Sequence, residues 1–238
     1  MPVFRLSESL LFPPPELARA DGLLAVGGDL SVERLLLAYR SGIFPWYSPG
    51  EPILWWAPSP RCLLFPAEFR ISRRFARTLR HTPFTVTVDT VFPRVIRACA
   101  DLRREKGSDT WIDRAMIDSY CRLHSLGFAH SVECWRDNEL AGGLYGVSLG
   151  GMFFGESMFS RFPDSSKVAM AHLVDLLRTW DFLAIDCQIA NPHLLRLGAR
   201  EIPGREFSQL LDRALAMPTR RGRWRPPLTP STPPHSSF

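Results

Sequence analysis

The sequence predicts an α+β protein, a mixed sheet with helices on its faces behind a small, irregular N-terminal α/β module. Three observations predict it. Strand-like segments at about 129–136, 139–148 and 151–159 are separated by Asp137-Asn138 and Gly150-Gly151, turn pairs that join antiparallel neighbours. The pattern then becomes helix, strand, helix, and the order β-β-β-α-β-α layers helices on a sheet. The segment 1–62 is rich in Pro, Gly and Trp and carries one clear helix. These observations divide the chain into an N-terminal domain at 1–62, a layered domain at 63–217 and a Pro/Arg-rich tail at 218–238.

In chain order, Asp29-Leu30-Ser31 offers caps to a helix in which Leu35, Leu36 and Tyr39 recur at helical spacing before Gly42. The stretch 43–56 interleaves turn chemistry with large aromatics. Leu63-Leu64-Phe65 reads as a short strand. Residues 70–81 read as a helix with Ile71, Phe75 and Leu79 on one face. Residues 84–88 alternate as a strand. Asp89 is expected to cap a helix running to about 104, and 105–110 is a polar loop. Asp113 caps a further helix with Met116, Tyr120 and Leu123 inward and Gly127 at its end. After the three strands, Asp164-Ser165-Ser166 caps a helix over 165–179. A buried strand at 182–189, a short helix at 192–197 ending at Gly198 and a helix near 205–215 complete the domain. The tail is expected to be disordered.

Composition narrows the function classes. The chain has 238 residues, 45% hydrophobic and 22% charged, which excludes a disordered chain. No apolar run approaches the ~20 residues that span a bilayer. The start, Met1-Pro2-Val3-Phe4-Arg5, carries no secretory pattern, so a cytoplasmic protein without membrane partners is expected. Net charge is +5, but four arginines of the tail (Arg220, Arg221, Arg223, Arg225) account for most of it. Only Lys106 and Lys167 among the 29 basic residues are lysines. The five cysteines are odd in number, form no Cys-x-x-Cys and read as reduced thiols. No metal site is expected. No phosphate-loop, dinucleotide-binding or Gly-x-Ser-x-Gly motif occurs.

Four features could carry chemistry. Period-two alternation puts Leu183, Ile185, Cys187 and Ile189 on one face of the strand at 182–189, and Ala184, Asp186 and Gln188 on the other. Burying such polar groups unpartnered costs roughly 2–7 kcal/mol each, more for a charge. They form either a structural hydrogen-bond pair or a site. The strand 151–159 repeats the arrangement, with Phe154, Glu156 and Met158 sharing a face. Two acids presented from apolar strands point to an apolar pocket with a polar floor. Trp46, Tyr47, Trp55, Trp56 and Trp111 suit core packing for the most part, and stacking on nucleobases for some. Arg70, Arg73, Arg74, Arg77 and Arg80 cover one helix side without an acid among them, a pattern that suits spaced phosphates as well as a solvated face.

At these residues the sequence resembles the bacterial leucyl/phenylalanyl-tRNA–protein transferases. The matching stretches are 22–30, 42–50, 52–56, 110–112, 123–135, 142–147, 155–161, 185–188 and 197–203. Phe44-Pro45-Trp46-Tyr47-Ser48-Pro49-Gly50 and Gly155-Glu156-Ser157-Met158-Phe159-Ser160 are the most distinctive. The resemblance implies a layered domain similar to the GNAT acetyltransferases. It implies transfer of Leu or Phe, and less well Met, from aminoacyl-tRNA to the α-amino group of proteins that begin with Arg or Lys. The product is thereby marked for degradation. No cofactor is implied, because the aminoacyl ester is already activated, and nothing requires more than a monomer.

The resemblance further implies that Gln188, oriented by Asp186, contacts the attacking amine. Glu156 would hold the cationic acceptor residue or order the site. Leu144, Val147, Phe153, Met158, Met170, Leu177 and Ile185 are the candidates for the donor side-chain pocket. Phe153 and Met158 can both point inward only if a bulge interrupts their strand. Trp46 and Trp111 would approach the terminal adenosine. Two other classes are weighed beside this one. An acyl-CoA-dependent N-acyltransferase lacks its pyrophosphate loop here. An RNA-binding module without catalysis has no reason to bury an acid.

Overall fold

The computed structural model describes residues 3–81, 83–105 and 110–225. Two sheets organise them. The first contains β1 (Phe4–Leu6), β2 (Leu23–Gly27), β3 (Phe44–Pro45) and β4 (Leu54–Trp56), in the order β1-β2-β4-β3. Helix α1 (Val32–Arg40) lies between β2 and β3 in the chain, and Ser31 caps it by accepting the Arg34 N–H. The Arg34 side chain is buried and donates to Asp29 and to the carbonyls of Ser7, Glu8 and Ser9. One guanidinium thus ties the N-terminal segment to the helix.

The second sheet contains β5 (Arg61–Leu64), β6 (Thr85–Val88), β7 (Ala129–Arg136), β8 (Glu139–Leu149), β9 (Met152–Ser160), β10 (Ala184–Gln188) and β11 (Arg200–Ile202). The spatial order is β11-β5-β10-β9-β8-β7-β6. Only β9 and β10 pair in parallel within it. Its helices are α2 (Arg73–Arg80), α3 (Phe92–Glu105), α4 (Arg114–Ser125), α5 (Ser165–Thr179), α6 (Pro192–Arg196) and α7 (Gly204–Leu215). Apolar residues of α1, α3, α4 and α7 pack in one buried layer. Those of α2, α5 and α6 pack in a second. The mixed α+β layering read from the sequence is therefore present, and α5 makes the crossover that allows β9 and β10 to run parallel.

Local chemistry explains the central hairpins. Asp137 and Asn138 both adopt positive φ, +50° and +64°, the geometry of a tight two-residue turn that matches strand twist. At Gly146 a Cβ would lie 2.6 Å from the Phe153 ring and 2.2 Å from the Phe154 carbonyl. The missing side chain is what lets Phe153 lie across β8.

Several expectations are corrected. Asp89 does not cap α3. It is buried at positive φ and binds His130 and the Ser131 N–H. Glu133 on β7 instead holds the turn that leads into the helix, its Oε1 accepting the Thr90 and Val91 N–H groups. Asp164 makes no cap hydrogen bond to α5. The individual strands of the first sheet and β11 were not expected, and the strand read from Leu63 starts at Arg61. Of the tail, residues 218–225 pack on the domain: Trp224 is buried, and its N–H donates to Asp89 Oδ2 at 2.7 Å. A bulky indole supplies the apolar area that the Pro/Arg composition hid. Residues 226–238, and 106–109 of the expected polar loop, lie outside the described residues.

Candidate active site

Two interruptions of strand geometry build the site. On β9, Ser157 faces Tyr145 while Gly155 faces Gly146. Glu156 is therefore the extra residue of a β-bulge, the device that re-aims a side chain. The bulge resolves the alternation problem: Phe153 and Met158 both reach the layer of α5, while Phe154 packs in the opposite one. Phe154 and Met158 thus do not share a face. On β10 the register shifts between Asp186 and Gln188, and Gln188 adopts φ +62°. Such a conformation costs a non-glycine residue and persists only where its surroundings hold it.

The holding group is Asp186. Its Oδ1 accepts the Gln188 main-chain N–H at 2.9 Å. The carboxylate is itself fixed by Arg61, whose Nε and Nη2 donate to Oδ1 and Oδ2 at 2.9 and 2.6 Å. Both side chains are fully buried. The guanidinium lies between the Phe44 and Phe207 rings, 4.9 and 4.7 Å from their centroids. Asp186 thus orients Gln188 through the main chain, and it does not line the cavity.

Glu156 holds the Gln188 side chain. The Gln188 Nε2 donates to Glu156 Oε1 at 3.1 Å, Tyr39 to the same oxygen at 2.8 Å, and Tyr120 to Oε2 at 3.1 Å. The Tyr39 and Tyr120 hydroxyls also bond to each other. Tyr39 comes from α1 and Tyr120 from α4, so this carboxylate joins the N-terminal module to the second sheet. Burial pushes the Glu156 pKa up to about 7, against the lowering effect of its three donors. Burial and the Glu156 charge push both tyrosines well above the usual phenol range.

Glu156 and Gln188 face a cavity of about 480 Å³. Its lining includes the predicted Trp46, Trp111, Leu144, Phe153, Glu156, Met158, Met170, Ile185 and Gln188. Val147 does not line it. It sits three residues from Leu144 on β8, hence on the opposite face, and is buried in the other layer. Leu177 does not line it either, because it lies two turns of α5 beyond Met170. Leu173, Cys187, Phe44, Arg103 and His193 line the cavity and were not predicted. At the mouth Trp46 is 39% exposed and 5.9 Å from Trp111 between ring centroids. Trp55 is instead buried, donating to the Gly27 carbonyl. Trp56 donates to the Trp46 carbonyl, and Tyr47 to Asp113.

Arg73, Arg74, Arg77 and Arg80 on α2, and Arg70 just before it, are all exposed. Phe75 and Leu79 anchor the helix beneath them. None of the five arginines forms an ion pair among the described residues. No group of three or more His, Cys, Asp or Glu residues suited to a metal ion occurs among the described residues. No described helix is long and apolar enough to cross a membrane.

Comparison with known proteins follows the same chain segments. The family model described as leucyl/phenylalanyl-tRNA protein transferase matches residues 63–212, and the model of its N-terminal domain matches 28–59. A leucyl/phenylalanyl-tRNA–protein transferase of Desulfatibacillum aliphaticivorans is 58% identical over 94% of this chain and 96% of its own. One from Syntrophobacter fumaroxidans is 61% identical over 89% and 90%. Among solved structures, the C-terminal domain of a putative lysylphosphatidylglycerol synthetase from Agrobacterium fabrum aligns at 11% identity and a TM-score of 0.41. That alignment covers 80% of this chain and 58% of the other.

Proposed function

Because the chain belongs to the leucyl/phenylalanyl-tRNA protein transferase family, an enzyme family that moves an aminoacyl group from tRNA to protein and releases the tRNA, we propose the following finer reading of its reaction. The donor amino acid is Leu or Phe, and less well Met. The acceptor is the α-amino group of a protein or peptide that begins with Arg or Lys. The modification marks the acceptor for degradation, and the enzyme works as a cytoplasmic monomer.

The reading is supported above all by the way Gln188 is held. With its amide nitrogen committed to Glu156, the carboxamide keeps Oε1 as an acceptor toward the cavity. An incoming amine would donate there and be set against the ester carbonyl. Bringing two reactants into such a geometry is a large part of what an aminoacyl transfer needs, since the ester is already activated. The amine must be neutral to attack, and α-amino groups have pKa values of about 7.7–8.0. Glu156, with its pKa of about 7, is matched to accept a proton relayed from that amine near neutral pH. The apolar walls at Leu144, Phe153, Met158, Met170 and Ile185 suit the donor side chain, and Trp46 and Trp111 suit its terminal adenosine. A missing methylene in such a pocket is worth only ~1–3 kcal/mol, which fits acceptance of Leu, Phe and Met together.

The same reading assigns 1–62 to a small N-terminal domain and 63–217 to a catalytic domain of GNAT-like build. In its favour is the antiparallel β7-β8-β9 meander followed by the α5 crossover to parallel β10. The exposed arginines from Arg70 to Arg80 are assigned to tRNA phosphates. One assay tests the whole: incubation with charged leucyl-tRNA and an Arg-initiated peptide should yield a Leu-Arg peptide. Acylation from acetyl-CoA, or binding without transfer, would overturn it.

A further inference from the structure

We propose that Arg103 is the anion contact of the cavity and holds the phosphate group on the 5′ side of the donor's terminal nucleoside. The inference deepens the donor reading above and rests on it. Arg103 stands near the end of α3 and lines the cavity beside Trp111. Its guanidinium carbon lies 3.9 Å from the Trp111 ring centroid. The residue is half-buried, and burial lowers its pKa.

Other arginines removed from solvent are each answered by the protein. Arg34 has Asp29 and three carbonyls, and Arg61 has Asp186. Arg103 has no ion pair, and none of its donors meets an acceptor among the described residues. Among the described residues Glu156 is the one carboxylate lining the cavity, and both its oxygens are engaged by Tyr39, Tyr120 and Gln188.

A guanidinium stacked by its face keeps its in-plane N–H groups free, in a fork that matches two oxygens of a phosphate. The free fork borders the indole pair Trp46 and Trp111. Anion and aromatic ring are therefore asked for side by side, and a nucleotide supplies both from one molecule. A nucleoside alone would leave the fork empty.

The test uses the 3′-amido analogue of phenylalanyl-adenosine, which cannot be transferred, with and without a 5′-phosphate. Binding is measured by titration calorimetry on the full chain. The wild type is expected to bind the phosphorylated analogue about tenfold more tightly, the size of one charge-assisted contact. Arg103→Ala should bring that ratio close to one, and Arg103→Lys should keep part of it. A wild-type ratio near one overturns the inference. So does Arg103→Ala that weakens both analogues while keeping the ratio, because Arg103 would then only back Trp111. A phosphate preference that depends on Arg103, found together with no transfer from charged tRNA, would overturn the donor reading and leave the anion contact standing.

Discussion

Arg61 and Asp186, 125 residues apart in the chain, form a fully buried ion pair closed by two hydrogen bonds. Removing one partner of such a pair strands a buried charge at a cost of about 3–5 kcal/mol. Asp186→Ala is therefore expected to lower stability by that amount in denaturant titrations as well as to abolish transfer. The double change Arg61→Met with Asp186→Leu separates the two effects. It should recover most of the stability, since apolar replacements of a buried pair are often neutral or better. It should not recover transfer, because nothing then holds the Gln188 N–H. A double variant that transfers well would reduce Asp186 to an internal strut.

Gln188→Ala should lose transfer by about a hundredfold or more, the scale of removing one oriented polar group from a reacting centre. Gln188→Glu is the sharper test. It would set a second carboxylate against Glu156, and two such groups in contact cannot both ionise at neutral pH. Transfer should fall at pH 7, with its rise displaced to higher pH in single-turnover assays. A Gln188→Glu enzyme faster than the wild type would mean that proton abstraction limits the rate.

Glu156 links pH to both stability and activity, in opposite senses. Its pKa is about 7 in the folded protein, against roughly 4.3 for an unperturbed Glu. Between those values the folded state binds more protons than the unfolded one, so stability falls as pH rises through this window. The penalty is absent below about pH 4 and complete above about pH 7, on the order of 3 kcal/mol. Glu156→Gln should flatten that slope in melts taken from pH 5 to 8. Transfer should instead rise through pH 7 in the wild type, as the carboxylate that anchors Gln188 becomes ionised, and Glu156→Gln should keep only the later part of the rise that follows the acceptor amine, with its pKa of about 7.7–8.0.

The legible parts of the chain are those whose signals are local. The three long strands and their turns, the caps at Ser31 and Asp113 and the helix over 165–179 all follow from spacing and neighbouring residues. The strands of the first sheet and β11 run two to five residues among prolines and glycines, too short for any period to register. At the site, residue types were readable and their directions were not. The bulge at Glu156 and the positive φ of Gln188 each break the period of two. Simple alternation therefore mispaired Phe154 with Met158 and hid the main-chain link from Asp186 to Gln188. Arg61 could not be found from sequence, because its partner is distant in the chain.

Trp224 gives the tail a structural task. Its ring stacks on His130 at 3.8 Å and reaches Phe153 at 5.9 Å, and Phe153 lines the cavity. Deleting 218–238 should cost about 3–5 kcal/mol, the range for emptying a large aromatic site. It should also raise KM for the donor as Phe153 loses its backing. Deleting only 226–238 should leave the melt unchanged. Calorimetric scans of both truncations decide the matter, and a full deletion that melts like the wild type would show that the packed segment contributes nothing.

The arginines around α2 should set the salt dependence of tRNA binding. They are exposed, unpaired among the described residues and mounted on a helix that Phe75 and Leu79 hold in place. Arg73 and Arg77 lie one turn apart, so both can meet one backbone. Phosphate contacts position a nucleic acid without reading its sequence, so tRNAs of different sequence should bind alike when they carry the same amino acid. Each lost contact removes about 0.7–0.9 from the slope of log K against log salt. Reversing Arg73 and Arg77 to Glu should therefore weaken tRNA binding and flatten the slope by roughly 1.5 or more. The reversed charges stand on the exposed side of α2, so an aminoacyl-adenosine donor without the tRNA body should be affected far less. Equal losses with both donors, or an unchanged salt slope, would make these arginines a solvated face with no part in holding tRNA.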